Sequence, residues 1–266
     1  MRQASADGSQ WCWQAVAPDG TYLMSYSYEV EFGIDPTARR VEIVGPPDGS
    51  DDLRRHLLID QIVPHLVAVE GRLILHASGV VHGGHALALT GMSGAGKSSL
   101  AAAFVGRGAE LLADDYLLVE RQGERYLATG AYPGLRLWRD SAAHFGGDAD
   151  ELPQVAPHTD KRRLGVDGEP STDLPLGAIV VLGPEPDDPD VQCTVERLRG
   201  RRAFVTLYLQ VFRMERTGRE RQEADLDRLT HLVRTVPLFL LRHRRDYDAL
   251  PSVLATLDAA LDEVGL

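Results

Sequence analysis

The segment Gly91-Met-Ser-Gly-Ala-Gly-Lys97-Ser98 is a complete G-x-x-x-x-G-K-S phosphate loop. Such a loop constrains its surroundings, because it needs a strand to deliver it and a helix to receive it. The flanks supply both. The apolar run Ala86–Thr90 precedes it, and a helical stretch from Ser98 to Val105 follows, closed by Gly106-Arg-Gly108. The glycines let successive backbone N–H groups turn toward phosphate oxygens, and the helix presents its positive dipole end to the same anion. The fold class that follows is α/β, with a P-loop core. Gly91, Ser93, Gly94, Ala95, Gly96, Lys97, Ser98 and Ser99 are the candidate nucleotide-binding residues. Lys97 would reach the β and γ phosphates of ATP, and the Ser98 hydroxyl would ligate Mg²⁺. The chain has only two lysines, Lys97 and Lys161, while its other 26 basic residues are arginines. One of the two stands where arginine substitutes poorly.

A length of 266 residues suits one large domain with a modest appendage. The appendage is expected over residues 1–70 as a β-hairpin plus helix. Tyr22–Phe32 reads as a strand, Arg40–Val44 pairs with it across Asp35-Pro36, and a helix opens at Asp51-Asp52 and bends at Pro64. Leu57, Leu58, Ile62, Leu66 and Val69 form its apolar stripe. Residues 71–266 then make the P-loop domain. Leu73–Val81 and Ala86–Thr90 read as a hairpin turning at His82-Gly-Gly-His85. Ala109–Glu120 reads as a strand broken near two aspartates, 130–175 as loops and short helices, and Leu176–Leu182 as a buried strand. Ala203–Val211, Asp225–Val233 and Tyr247–Val264 read as helices, and Pro237–Leu241 as a strand.

Asp114 and Asp115 lie 17 and 18 residues after Lys97, at the end of the run Leu111-Leu-Ala. Carboxylates at the carboxyl end of a strand can face the phosphates. One can hold Mg²⁺ and the other can take a proton from an attacking hydroxyl. Arg136, Lys161, Arg162 and Arg163 fall in the loop-rich middle, where a mobile segment could close cations over the γ-phosphate. Arg242-His-Arg-Arg245 is the densest basic cluster. His82 and His85 are explained by their tight turn.

Three pieces together, Leu75-His-Ala-Ser-Gly-Val, the loop itself and Leu112-Ala-Asp-Asp, resemble the HPr kinase/phosphorylase family. They also resemble its smaller peptide-tailoring relatives, including the kinases of lasso-peptide gene clusters. The resemblance runs from about Gly71 to Leu118. It implies that Asp114 is the general base toward the acceptor and Asp115 the metal-side carboxylate. It also implies that His76, 21 residues before Lys97, orients or tunes the pair. A homo-oligomer is implied as well. The family's glutamate-bearing metal segment corresponds to Ala131-Tyr-Pro-Gly-Leu-Arg-Leu137, which has no glutamate. Phosphoenolpyruvate carboxykinase shares the loop and the aspartate pair but is a far longer chain.

A net charge of −11 and a pI near 5.3 argue against a nucleic-acid partner. The N-terminus lacks a signal-peptide core, and no long uncharged apolar run suggests a membrane span. Cys12 and Cys193 lie far apart, as free thiols of a cytoplasmic protein would. The leading expectation is an ATP- and Mg²⁺-dependent kinase acting on a serine-type hydroxyl of a peptide or protein. A sugar or amino-acid kinase and a non-catalytic ATP-binding module are the alternatives.

Overall fold

A computed structural model describes residues 2–4, 10–26, 30–37, 39–45, 51–130, 134–155, 159–166, 171–211 and 219–266. The chain divides into two compact units, Met1–Gly71 and Arg72–Leu266.

The first unit is an antiparallel meander with its strands in sequence order: β1 (Arg2–Ala4), β2 (Gln10–Val16), β3 (Tyr22–Tyr26), β4 (Val30–Ile34) and β5 (Val41–Val44). Tyr22–Phe32 is thus two strands and not one. Residues 27–29 between them lie outside the described residues. The cause of the misreading is parity. Tyr26 pairs directly with Val30, so Tyr22, Met24 and Tyr26 share a buried face with Val30, Phe32 and Ile34. Both strands keep the same parity, so the sequence alternation reads on from one to the other. Helix α1 (Asp51–Leu57) passes through a π-turn at Leu58–Ile62 into α2 (Val63–Val69). Pro64 sits in the first turn of α2, where a missing N–H costs least. The irregularity therefore falls just ahead of the proline.

The second unit is a three-layer α/β body. Its strands are β6 (Leu73–Leu75), β7 (Ala77–His82), β8 (His85–Gly91), β9 (Leu111–Ala113), β10 (Leu117–Gln122), β11 (Arg125–Thr129), β12 (Gly134–Leu137), β13 (Arg162–Gly165), β14 (Leu174–Leu182), β15 (Cys193–Leu198) and β16 (Leu238–His243). Its helices are α3 (Lys97–Gly106), α4 (Arg139–Gly146), α5 (Gly200–Tyr208), α6 (Arg219–Thr235) and α7 (Leu250–Asp262). The main sheet runs β6-β10-β11-β14-β8-β7-β9, with β16 also on β14 and β15 on β16. Strand β14 pairs in parallel with β8 and β16, while every other ladder is antiparallel.

Side-chain parity sorts the core into two layers. Leu87, Leu89, Val180 and Leu182 pack under α3 and α7, against Leu100, Phe104, Val253 and Leu257. Ala86, Ala88, Ile179 and Val181 face α5 and α6, against Ala203, Leu207, Leu229 and Leu232. Strands covered on both faces are apolar at consecutive positions, which is why β8 and β14 stand out in the sequence.

Two expectations are corrected. The run Leu73–Val81 is broken at His76, so that residue lies between two strands and not within one. The stretch 130–175 holds the β12–β13 ribbon beside α4. A four-residue strand reading Gly-Leu-Arg-Leu is too short to show a period. Residues 131–133 of the same stretch lie outside the described residues.

Candidate active site

The phosphate loop joins β8 to α3. Gly91 adopts φ 150°, and a Cβ there would stand 2.8 Å from the Leu182 carbonyl of neighbouring β14. Its glycine permits both the backbone conformation and the close approach of the two chains. Gly94, at φ 76°, has open space around it and needs glycine for conformation alone. The Lys97 ammonium lies 2.9 Å from the Gly91 carbonyl and 3.3 Å from that of Met92. Burial lowers the Lys97 pKa, with Asp115 opposing. A cavity of about 320 Å³ opens over the loop, walled there by Ser93, Gly94, Gly96, Lys97, Ser98 and Ser99. Gly91 and the buried Ala95 stand behind that wall.

Opposite the loop, two antiparallel ladders share one register. Leu75 pairs with Leu117 and Gly79 with Ala113, so the rows between them set His76 against Tyr116, Ala77 against Asp115 and Ser78 against Asp114. The ladder opens at those three rows. The His76 and Tyr116 rings meet edge-on at 5.9 Å, and the Ala77 amide still donates to the Asp115 carbonyl at 3.2 Å. The Asp115 backbone sits at φ 77°, a left-handed conformation that a non-glycine residue holds only under constraint. His76 is pinned by its own backbone. Its N–H donates to the Gln210 carbonyl at 3.0 Å, and its carbonyl accepts from Thr90 Oγ1 at 2.8 Å.

The two aspartates differ sharply. Asp114 is buried, and its Oδ1 accepts from Ser78 Oγ at 2.5 Å and from Ser98 Oγ at 2.9 Å. Its Oδ2 accepts from the Arg136 amide at 2.7 Å. Burial, and then the Asp115 charge, push Asp114 up to about 6. Asp115 lines the cavity and accepts from Arg136 Nη1 at 2.5 Å. Burial would raise it, but Arg136 and then Lys161 outweigh that effect and hold it below the ordinary carboxylate range. His76 lines the same cavity, and burial, then Lys97, lower it to about 4. At neutral pH it is an uncharged imidazole.

Of the basic candidates, Arg136 is buried on β12 and fixed by both aspartates, so it is no part of a mobile flap. Lys161 lines the cavity, whereas Arg162 turns its Nε to the Ala149 carbonyl at 3.1 Å. Within the 242–245 cluster Arg245 reaches the cavity, while Arg244 is held by Glu185 and the Asp188 carbonyl. His82 and His85 close the β7–β8 turn as a facing pair. Cys12 and Cys193 are free thiols. Ser78, Thr90 and Gln210 were not anticipated. Ser78 carried a signal nonetheless, because a hydroxyl inside an apolar strand must find a buried partner.

No family model matches the chain, and no curated protein matches it. Fifty-three chains of solved structures match. Among them is the Hpr(Ser) kinase/phosphatase from Coxiella burnetii, 14% identical, with a TM-score of 0.38 over 71% of this chain and 91% of that one. Among the described residues, no helix is long and apolar enough to cross a membrane.

Proposed function

We propose that residues 72–266 form an ATP-dependent, Mg²⁺-dependent kinase domain that phosphorylates a serine-type hydroxyl of a peptide or protein. The observation that carries this reading is the hydrogen bond from Ser98 Oγ to Asp114 beside an Asp115 that opens onto the same cavity. A Ser98 hydroxyl that donates its proton to Asp114 leaves its lone pairs for a cation. Among the described residues, no three His, Cys, Asp or Glu side chains converge. The protein's own hold on the cation would therefore be Ser98 with Asp114 behind it. Mg²⁺ suits such a site, because waters and phosphate oxygens complete its shell. When bound, it would neutralise charge on the transferring phosphoryl group.

The geometry favours exchanging the roles that the family resemblance implies. Asp114 is spent on Ser78, Ser98 and the Arg136 amide, and belongs to the metal side. Asp115 faces the cavity and is ionised at neutral pH, so it is the group able to take the acceptor's proton. Reach precedes basicity in choosing a general base. In the step, the acceptor oxygen bonds to the γ-phosphorus as its proton passes to Asp115, and the bond to the ADP oxygen breaks. Arg136 then holds the position of the protonated carboxyl. The peptide acceptor and the cytoplasmic setting rest on motif resemblance and thiol usage.

The test offers serine-bearing precursor peptides, sugars and amino acids with ATP and Mg²⁺, and follows the mass of one phosphoryl group. A phosphopeptide is expected. Asp115→Asn should lower its formation by about 10²–10⁴-fold without changing the Mg²⁺ requirement. Asp114→Asn should raise the Mg²⁺ needed by about 10–100-fold. Turnover of a sugar or amino acid alone would replace the acceptor. Rescue of the Asp115 variant by Mg²⁺, with Asp114→Asn dead at every concentration, would restore the original roles.

A further inference from the structure

The chain spends arginine at 26 of its 28 basic positions, and both of its lysines line one cavity. Lys97 is explained by the loop, and Lys161 is one of the cations expected near the γ-phosphate. Its position is well determined. The β12–β13 register pairs Leu137 with Arg162, so the next row sets Trp138 against Lys161. The Lys161 ammonium accordingly lies 5.6 Å from the Trp138 ring centroid, a cation–π contact. Its backbone is tied down as well, since its carbonyl accepts from the Val155 amide at 3.0 Å and its amide donates to Thr159 Oγ1 at 3.3 Å. The Lys161 charge acts on Asp115, on His76 and on Lys97. Arg136, on the same ribbon, is committed to Asp115. Two ammonium groups thus border one cavity, one from the loop and one from the ribbon.

We infer that Lys161 is a phosphate-binding residue for the nucleotide, a second ammonium that contacts the γ-phosphoryl oxygens beside Lys97. Asp115 offsets part of the repulsion between the two ammonium groups, and a terminal phosphoryl group has oxygens for both. A compact ammonium also reaches a single oxygen without the planar fork that arginine would bring beside Arg136. The proposal rests on the ATP reading above and assigns the residue that distinguishes ATP from ADP.

The experiment uses an ATP analogue carrying an acyl group on its γ-phosphate, with Mg²⁺ and the full chain. A nearby lysine Nζ attacks the acyl carbon, an amide forms, and the carbon–oxygen bond to the phosphate breaks to release ATP. Labelled peptides are then mapped by mass spectrometry. Both Lys97 and Lys161 should be acylated, and unlabelled ATP should suppress both. In parallel, calorimetry on Lys161→Ala should show ATP binding weakened about tenfold or more with ADP binding unchanged, and Lys161→Arg should recover part of the loss. Acylation of Lys97 alone, with an unaltered ATP-to-ADP preference in Lys161→Ala, would overturn this inference and leave the ATP site standing. Acylation of neither lysine would overturn the ATP reading itself, and this inference with it.

Discussion

Asp114 and Asp115 are adjacent in the chain, yet one is enclosed by Ser78, Ser98 and the Arg136 amide and the other opens onto the cavity against the Arg136 guanidinium. That the pair stands beside the phosphate loop was legible, because carboxylates at the carboxyl end of a strand can face the phosphates. How differently the two are held was not legible. That depends on a partner 22 residues downstream on β12, and on the left-handed backbone at Asp115. His76 makes the clearest prediction at this scale. Its folded pKa, about 4, lies below the ordinary imidazole value of 6.5. Stability owed to the neutral ring is therefore present above pH 6.5 and is lost as pH falls toward 4. The loss amounts to about 3 kcal/mol at most. Asp114 acts in the opposite sense, because its raised pKa favours the fold below about 4 and loses that advantage as pH rises toward 6. Comparing urea midpoints of the wild type with His76→Gln across pH 4 to 7 isolates the histidine. The difference between the two proteins should shrink on the acid side, and a constant difference would deny the imidazole a neutral, buried state.

Elements carried their own kind of legibility. Strand β8, the loop and α3 were evident because each obeys a strong local rule, two-sided apolar burial for the strand and glycine-governed turning for the loop. The β12–β13 ribbon was not. Leu135 and Leu137 enter the core under α3 while Arg136 turns to the aspartates, and four residues cannot display that alternation above background. Strands β11 and β15 were missed for the same reason, since each spans only five or six residues and is only partly buried. A prediction about the loop follows from its two differently constrained glycines. Gly94→Ala meets no neighbour within 4 Å and should cost only the left-handed conformation, about 1–2 kcal/mol. Gly91→Ala adds a contact at 2.8 Å with the Leu182 carbonyl and should cost more, above about 2 kcal/mol. Chemical denaturation of both variants checks the order, and equal losses would mean that β8 and β14 can part without penalty.

At the scale of the whole chain, a molecule of net charge −11 gathers Lys97, Arg136, Lys161 and Arg245 around one cavity that also holds Asp115, Asp140 and Asp246. The overall charge, legible in the composition, spoke against nucleic acid. The local gathering of cations was hidden because those four residues come from four separate segments and converge only in the fold. Such a confined group of cations suits a small polyanion better than an extended one. The boundary near residue 71 coincides with a change of texture, from polar alternation to continuous apolar runs, where the contacts also divide the chain. The central claim is that this cavity receives the phosphates of ATP through the Gly91–Ser98 loop. Its most direct test is a calorimetric titration of ATP with Mg²⁺ into the wild type and into Lys97→Ala. The wild type should bind one nucleotide per chain, and Lys97→Ala, still folded by circular dichroism, should bind at least about 100-fold more weakly. A wild type that binds no ATP, or a variant that binds it equally well, would contradict the account.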